Sequence, residues 1–229
     1  MKRRLAWGWA LGLAIACGAA AAEPLDTSAS NLIAVLRETP GANQEVDALR
    51  PMGSVRATLN DGREVEIAAS WFHYLGDMHV RFVFDGERTM QTASPEDLQR
   101  LRLTPEQAVE QAMGNLRRRY GPPRVEPFTG RLMQVTGSEP DLVSSHFLDR
   151  AFWVEVARDY PQGIVVSVPK RGGMLFAAAD DELAVIALRF SATAIYTASD
   201  RSRVSSALYL FKDGRWSVYQ PAQQVAAGS

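Results

Sequence analysis

The chain has 229 residues, with 25 basic and 26 acidic side chains and therefore a formal net charge of −1 at pH 7. This balance argues against a nucleic-acid partner, which usually requires a concentrated basic face. The length suffices for one large domain or for two small lobes.

The first 22 residues have the layout of an export signal. Three cations precede the apolar residues 5–16, and the alanines at 19–22 supply small side chains for a cleavage site. An uncleaved membrane anchor is disfavoured because the apolar run is shorter than the roughly 20 residues that span a bilayer. We therefore predict cleavage near Ala22 and a periplasmic or secreted protein. Its 22 basic and 26 acidic residues would give a net charge of −4.

Cys17, the only cysteine of the chain, offers an alternative to cleavage after Ala22. The stretch Ala-Ile-Ala-Cys resembles the box that directs lipidation of exported bacterial proteins, but Leu13 lies four residues before the cysteine instead of the usual three. Lipidation of Cys17 would make the protein a membrane-anchored scaffold, and only then is membrane contact expected. Cleavage after Ala22 instead leaves no cysteine, which excludes disulfides, thiolate nucleophiles and cysteine-ligated metals.

Residues 23–93 are predicted to form a β-rich N-terminal lobe. Its first element is an exception, since the residues 31–37 (NLIAVLR) are typical of a short amphipathic helix. From Ser54 onward apolar and polar residues alternate, and Asp61-Gly62 interrupts this alternation. An Asp-Gly pair between alternating runs indicates a hairpin, because a type I′ turn needs positive φ at both central residues. The same pair recurs at Asp85-Gly86 and Asp213-Gly214.

Residues 94–220 mix helices with strands. Ser94 before Pro95 indicates one helix start, and Thr104 followed by Pro and by Gln107 is a capping box that starts a second. That helix should end at Gly121, with the cations 117–119 in its last turn, where they complement the helix dipole or form an anionic-partner patch.

A further amphipathic helix is predicted from His146 to Tyr160, followed by a strand at Ile164 to Val168 that is apolar enough to be buried on both faces. The acidic residues 180–182 should open another helix, which extends to about Phe190. Together these elements predict an α+β fold with antiparallel or mixed sheet hairpins, amphipathic helices and possibly two lobes. Residues 221–229 are expected to form a flexible tail.

The sequence offers little support for a metal site or for a nucleophilic active site. If Gly76-Asp77 is a two-residue turn, His73 faces Val80, and His73 and His79 point to opposite sides of the hairpin. No compact ligand spacing and no Gly-x-Ser-x-Gly elbow is present. We therefore predict no metal site and no cofactor.

Four residues remain as candidates for ligand binding. Glu64 and Glu66 share one strand face, which could suit a glycosidase dyad or a calcium site but is also typical of the solvated side of a sheet. Lys170 and Arg171 precede Gly172-Gly173, yet an apolar strand instead of a helix follows, so this is not a phosphate-binding loop. A hydrolase that uses either carboxylate together with Lys170 and Arg171 is an alternative to a binding role.

Three segments carry a resemblance to the YtpQ-like family of uncharacterised proteins, also called domain of unknown function 1444. They are the helix end Asn-Leu-Arg at 115–117, the strand end Ser-Val-Pro at 167–169 and the hairpin SALYLFKDGRWSVY. The resemblance covers roughly residues 78–219 and implies a fold, not a reaction. Family members tend to have Asp where this chain has Gly172, so no role of that Asp transfers to this protein.

The functional expectation is an exported envelope protein of the YtpQ-like type that acts as a non-catalytic binding or accessory module. Its partner would be another envelope protein or a small ligand, bound at the surface between the sheet and the C-terminal helices. The hydrolase and the lipid-anchored scaffold are the alternatives.

Overall fold

The computed structural model describes residues 25–58, 62–86 and 89–223. The predicted signal peptide, with Cys17, and the last six residues of the predicted tail lie outside this part of the chain. None of the helices within it is long and apolar enough to span a membrane.

The fold is α+β, as predicted, and within the described residues the strands form three antiparallel sheets. The strands are β1 Leu32–Glu38, β2 Arg50–Pro51, β3 Ser54–Thr58, β4 Glu64–Ala68, β5 Trp71–His73, β6 Met78–Asp85, β7 Met90–Thr92, β8 Arg124–Pro127, β9 Met133–Thr136, β10 Ile164–Lys170, β11 Gly173–Ala178, β12 Leu208–Lys212 and β13 Arg215–Gln220. The helices are α1 Pro95–Leu101, α2 Pro105–Tyr120, α3 Arg150–Ala157 and α4 Glu182–Ala198, with 3₁₀ segments at Ala29–Asn31, Pro140–Leu148 and Asp200–Ser202.

The N-terminal sheet has the order β1-β6-β5-β2, and β7 also pairs with β6. Strand β1 runs antiparallel to β6 with Leu32 opposite Phe84 and Glu38 opposite Met78. The helix predicted over residues 31–37 is therefore wrong. Residues 32–36 are all buried, and a continuous apolar run of this length has no period that separates a strand from a buried helix.

Strands pair at all three predicted hairpins, but among the described residues only Asp213-Gly214 forms the predicted two-residue turn. Strands β12 and β13 are joined by Asp213 and Gly214, whose φ angles of 51° and 73° are the positive values that a type I′ turn requires. Strands β3 and β4 pair across the second predicted turn. At the third, Asp85 pairs with Met90, so a connection longer than two residues joins β6 to β7.

The C-terminal sheet has the order β13-β12-β10-β11-β9-β8. Its central strand β10 is buried from residue 164 to residue 169, which confirms the prediction of a strand covered on both faces. One face packs against α4 through Val165, Leu175 and Leu188. The opposite face contributes Phe176 and Tyr209 to the larger core.

The helix caps are as the sequence predicts for α1 and α2, with complete capping boxes at Ser94 and Thr104. The single helix predicted from His146 to Tyr160 is wrong. A 3₁₀ segment ends at Leu148, and Asp149 then caps α3 by accepting a hydrogen bond from the Phe152 N–H at 3.3 Å. An N-cap side chain in the middle of an apolar stretch thus divides it into two elements.

One continuous core joins the two larger sheets across the predicted boundary between residues 93 and 94. Helix α2 packs against β1. The buried ring of Phe147 lies 6.3 Å from that of Tyr74, beside the N-terminal sheet, and 5.1 Å from that of Tyr209 in the C-terminal sheet. Such shared aromatic packing couples the stability of the two sheets.

Candidate functional site

A cleft of about 550 Å³ opens between the segment before β2, helix α2 and the start of α3, and we call it the Tyr74 cleft. Its size lies within the usual range for ligand pockets. Its apolar lining residues include Leu49, Val109, Met113, Leu148 and Ala151, and its charged ones are Asp47, Glu106, Glu110, Arg117, Asp149 and Arg150.

One wall of the cleft is held by a hydrogen-bonded group around Asp47. The buried Tyr74 donates its hydroxyl to Asp47 Oδ1 at 2.8 Å, and Arg150 Nη2 donates to Asp47 Oδ2 at 2.7 Å. Arg150 also donates to the Gly214 carbonyl at 2.7 Å. Burial and the neighbouring Asp47 carboxylate raise the pKa of Tyr74 well above its usual value. Tyr74 therefore acts as a fixed hydrogen-bond donor at neutral pH, not as a base.

The opposite side is fixed by the ion pair between Arg117 and Asp149. Asp149 is only 2% exposed and also caps α3, so its carboxylate is fully engaged. Beneath this pair, burial lowers the pKa of His146 to about 4, with Arg117 adding to the effect and Asp149 opposing it. The imidazole is neutral at pH 7, and it does not line the cleft.

Two carboxylates of the cleft remain unengaged. Glu106 and Glu110 are exposed, stand one helical turn apart on α2 and form no ion pair or hydrogen bond with any side chain in the described part of the protein. Like charges at this spacing repel one another by roughly 0.2–0.5 kcal/mol. Because the other four charges form two ion pairs, the cleft as a whole has a net charge of −2.

The candidates predicted from the sequence lie elsewhere. Glu64 and Glu66 are exposed on β4, and the depression that they line is formed only by residues of β3 and β4. Glu64 lies 3.6 Å from Arg56 in an exposed ion pair. Lys170 ends β10, and Arg171 forms the turn into β11. The two carboxylates and the two cations are thus placed on different sheets.

The two histidines of the N-terminal sheet do not point to opposite sides, so that prediction is wrong. The β5–β6 connection is longer than two residues, and His73 pairs directly with His79. His79 Nε2 accepts a hydrogen bond from Arg81 Nε at 2.8 Å, so the proton lies on Nδ1, which donates to Thr39 Oγ1 at 2.8 Å. Burial, with Arg81 and Arg37, lowers the pKa of His79 to about 3.

No cluster of three or more potential metal ligands exists in residues 25–58, 62–86 and 89–223. His79 is engaged in hydrogen bonds with Arg81 and Thr39.

A buried polar group that the sequence did not indicate connects the two larger sheets. Asp77, in the β5–β6 turn, accepts hydrogen bonds from Ser205 and, at 3.2 Å, from the hydroxyl of the fully buried Tyr209. Burial raises the pKa of Asp77, and these hydrogen bonds oppose the shift. Because Asp77 is only 2% exposed and accepts these hydrogen bonds, this group stabilises the packing of the two sheets.

Comparison with protein-family models, curated proteins and solved structures finds no match to this chain. The resemblance to the YtpQ-like family accordingly stays a prediction.

Proposed function

We propose that the protein is a non-catalytic binding module of the YtpQ-like type in the bacterial envelope, and that the Tyr74 cleft binds a segment of another exported protein. The segment would present an apolar side chain next to a lysine or arginine. The observation that carries this proposal is the combination, in one cleft, of an apolar floor with two unengaged carboxylates.

The chemistry of the cleft supports this partner. Val109, Met113 and Leu148 offer apolar contact, and burying one aliphatic side chain of a ligand there is worth roughly 1.5–3 kcal/mol. A cation placed between Glu106 and Glu110 would relieve their repulsion and add up to about 1 kcal/mol for each exposed pair. After the cost of association these terms fit a weak, reversible complex.

A non-catalytic role is supported by the state of three titratable groups in the walls of the cleft. Tyr74 is held in its protonated form, and the carboxylates of Asp47 and Asp149 are each bound by an arginine. Such paired groups are suited to keeping the shape of the cleft but not to moving a proton. The exported location is inferred from the predicted signal peptide.

The proposal is tested by nuclear magnetic resonance titration of the mature chain with capped dipeptides. We expect acetyl-Leu-Lys-amide to shift the backbone amide signals of Val109, Met113 and Ala151. Acetyl-Leu-Glu-amide should bind more weakly because its carboxylate would meet the net negative charge of the cleft. Equal shifts with both peptides, or shifts confined to another surface, would contradict the proposal.

Matched variants separate the cleft from general charge effects. The double variant Glu106→Gln/Glu110→Gln should lose the preference for the lysine peptide. The control Glu155→Gln removes an exposed carboxylate of α3 that is paired with Arg158 and does not line the cleft. This control should bind as the wild type does. Affinity capture from the envelope extract, compared between the wild type and the double variant, then identifies the partner.

A further inference from the structure

Three partly buried arginines come together on the side of the N-terminal sheet that faces the β10–β11 turn, and we call them the arginine cluster. Arg37 lies opposite His79, and Arg81 lies opposite Val35, so the two arginines are diagonal neighbours on one face of the β1–β6 pair. Arg171 comes from the distant turn. Burial and the positive charges of Arg171 and Arg81 lower the pKa of Arg37 to about 10, and Asp141 opposes this effect.

Arg81 is held in place by two contacts. Its Nε donates to His79 Nε2, and its guanidinium carbon lies 3.6 Å from the ring centre of Trp71. These contacts fix the plane of the guanidinium over the aromatic face. Within the described chain, the terminal nitrogens of Arg81 have no hydrogen-bond acceptor. The buried indole N–H of Trp71 has none either.

The backbone of Arg171 is fastened on both sides. Its N–H donates to the Ser202 carbonyl at 2.9 Å, and its own carbonyl accepts from the Ser144 N–H at 2.8 Å. The next residue, Gly172, approaches the Pro140 carbonyl so closely that an added Cβ would lie 3.1 Å from that oxygen. The position of Arg171 is thus preorganised, while its buried Nε finds no acceptor among the residues that the structure describes.

The cluster differs from three other arginines of the described chain in having no carboxylate partner. Arg117, Arg119 and Arg150 each pair with an aspartate. Within residues 25–58, 62–86 and 89–223, by contrast, Arg37, Arg81 and Arg171 form no ion pair. Partly buried charges without a salt-bridged counterion are costly, and part of this cost is recovered when an anion binds between them.

We propose that the arginine cluster is a binding site for a phosphate oxyanion, supplied either by free phosphate or by a phosphorylated lipid head group. The planar guanidinium forms paired hydrogen bonds to phosphate oxygens, and three guanidiniums match an anion that carries two charges and several acceptor oxygens. A monovalent carboxylate would leave most of the repulsion in place. The site is separate from the Tyr74 cleft, and its existence does not depend on the proposed function.

The test is calorimetric titration of the mature chain with inorganic phosphate, with acetate at the same ionic strength as the comparison. We expect saturable binding of phosphate and none of acetate. Arg171→Gln and Arg37→Gln should each weaken phosphate binding roughly 10-fold or more, because each removes a charge-assisted hydrogen bond. The control Arg158→Gln removes the same charge from an exposed surface pair and should leave binding unchanged.

Thermal unfolding in chloride distinguishes a binding role from a structural one. Arg171→Gln should unfold at the same or a higher temperature than the wild type in chloride, because it removes a like-charge repulsion, and it should lose the stabilisation by phosphate. A lower unfolding temperature in chloride together with an unchanged phosphate response would overturn the proposal.

Vesicles identify the source of the phosphate. Tighter binding to vesicles that contain phosphatidic acid than to inorganic phosphate would assign the site to a lipid head group, and equal affinity would assign it to free phosphate. Absence of a saturable response to either would refute the site.

Discussion

Gly76 in the β5–β6 turn is a position where one added methyl group should lower stability strongly. Its φ of +65° lies in the left-handed region. An added Cβ would overlap the hydroxyl of Tyr209 and lie 2.8 Å from Cε1 and 3.0 Å from Cζ of the same ring. Because Tyr209 is fully buried and bonded to Asp77 and Ser205, the ring has no free space to move into.

The expected loss in the free energy of unfolding for Gly76→Ala is the sum of two contributions. The left-handed backbone costs an alanine roughly 1–2 kcal/mol. Displacing Tyr209 weakens its buried hydrogen bonds, which adds about 1–3 kcal/mol. The free energy of unfolding should therefore fall by about 2–5 kcal/mol, and for a domain of this size each kcal/mol lowers Tm by roughly 2–4 °C.

Gly214→Ala is the matched control. Gly214 has a φ of +73°, but an added Cβ there meets no atom within 4 Å. It should show only the backbone cost. The free energies of unfolding of both variants are measured by urea unfolding followed by circular dichroism. In addition, the double variant Gly76→Ala/Tyr209→Phe should be destabilised by less than the sum of the two single changes. A Gly76→Ala variant that is no less stable than Gly214→Ala would refute the reasoning.

Two further predictions concern pH and processing. The folded-state pKa values of His79 and His146, about 3 and about 4, lie below the ordinary 6.5. Their contribution to stability is therefore complete above pH 6.5 and is lost as the pH falls, by up to roughly 2.7 kcal/mol per pH unit near pH 5. His79→Gln should lower the slope measured by urea unfolding by roughly 1.4 kcal/mol per pH unit, and an unchanged slope would contradict the assignment. Asp77, whose pKa is raised, acts in the opposite sense in both proteins, so its contribution cancels from the difference between the two slopes. Mass spectrometry of the mature N-terminus should find Glu23, whereas an acylated Cys17 would establish lipid anchoring.

Local chemistry allowed much of the fold to be predicted. The capping boxes at Ser94 and Thr104, the Asp213-Gly214 turn and the buried strand β10 depend on neighbours within a few residues, so the sequence specifies them directly. The strand β1 could not be distinguished from a helix because its conformation is set by pairing with β6, far along the chain.

The histidine prediction failed for a related reason. Two residues at the tip of a hairpin suggested a tight turn, but the actual connection is longer, and a change of register moves side chains to the other face of the strand. The register of a strand pair depends on how the whole strands pack, and a short motif does not determine that packing.

Both candidate sites required the tertiary structure. Glu106 and Glu110 lie one turn apart on the helix that follows Thr104, yet only the fold brings Asp47 and Arg150 to the same cleft. Likewise, Arg171 was singled out in the sequence together with Lys170, and its proximity to Arg37 and Arg81 follows only from the fold. The sequence by itself determined the local turns, the caps and the overall α+β class, because these follow from short-range backbone chemistry. Only the tertiary structure decided which charged residues from distant segments lie together. The packing of the two sheets determines which charges become neighbours and how far water is excluded from them.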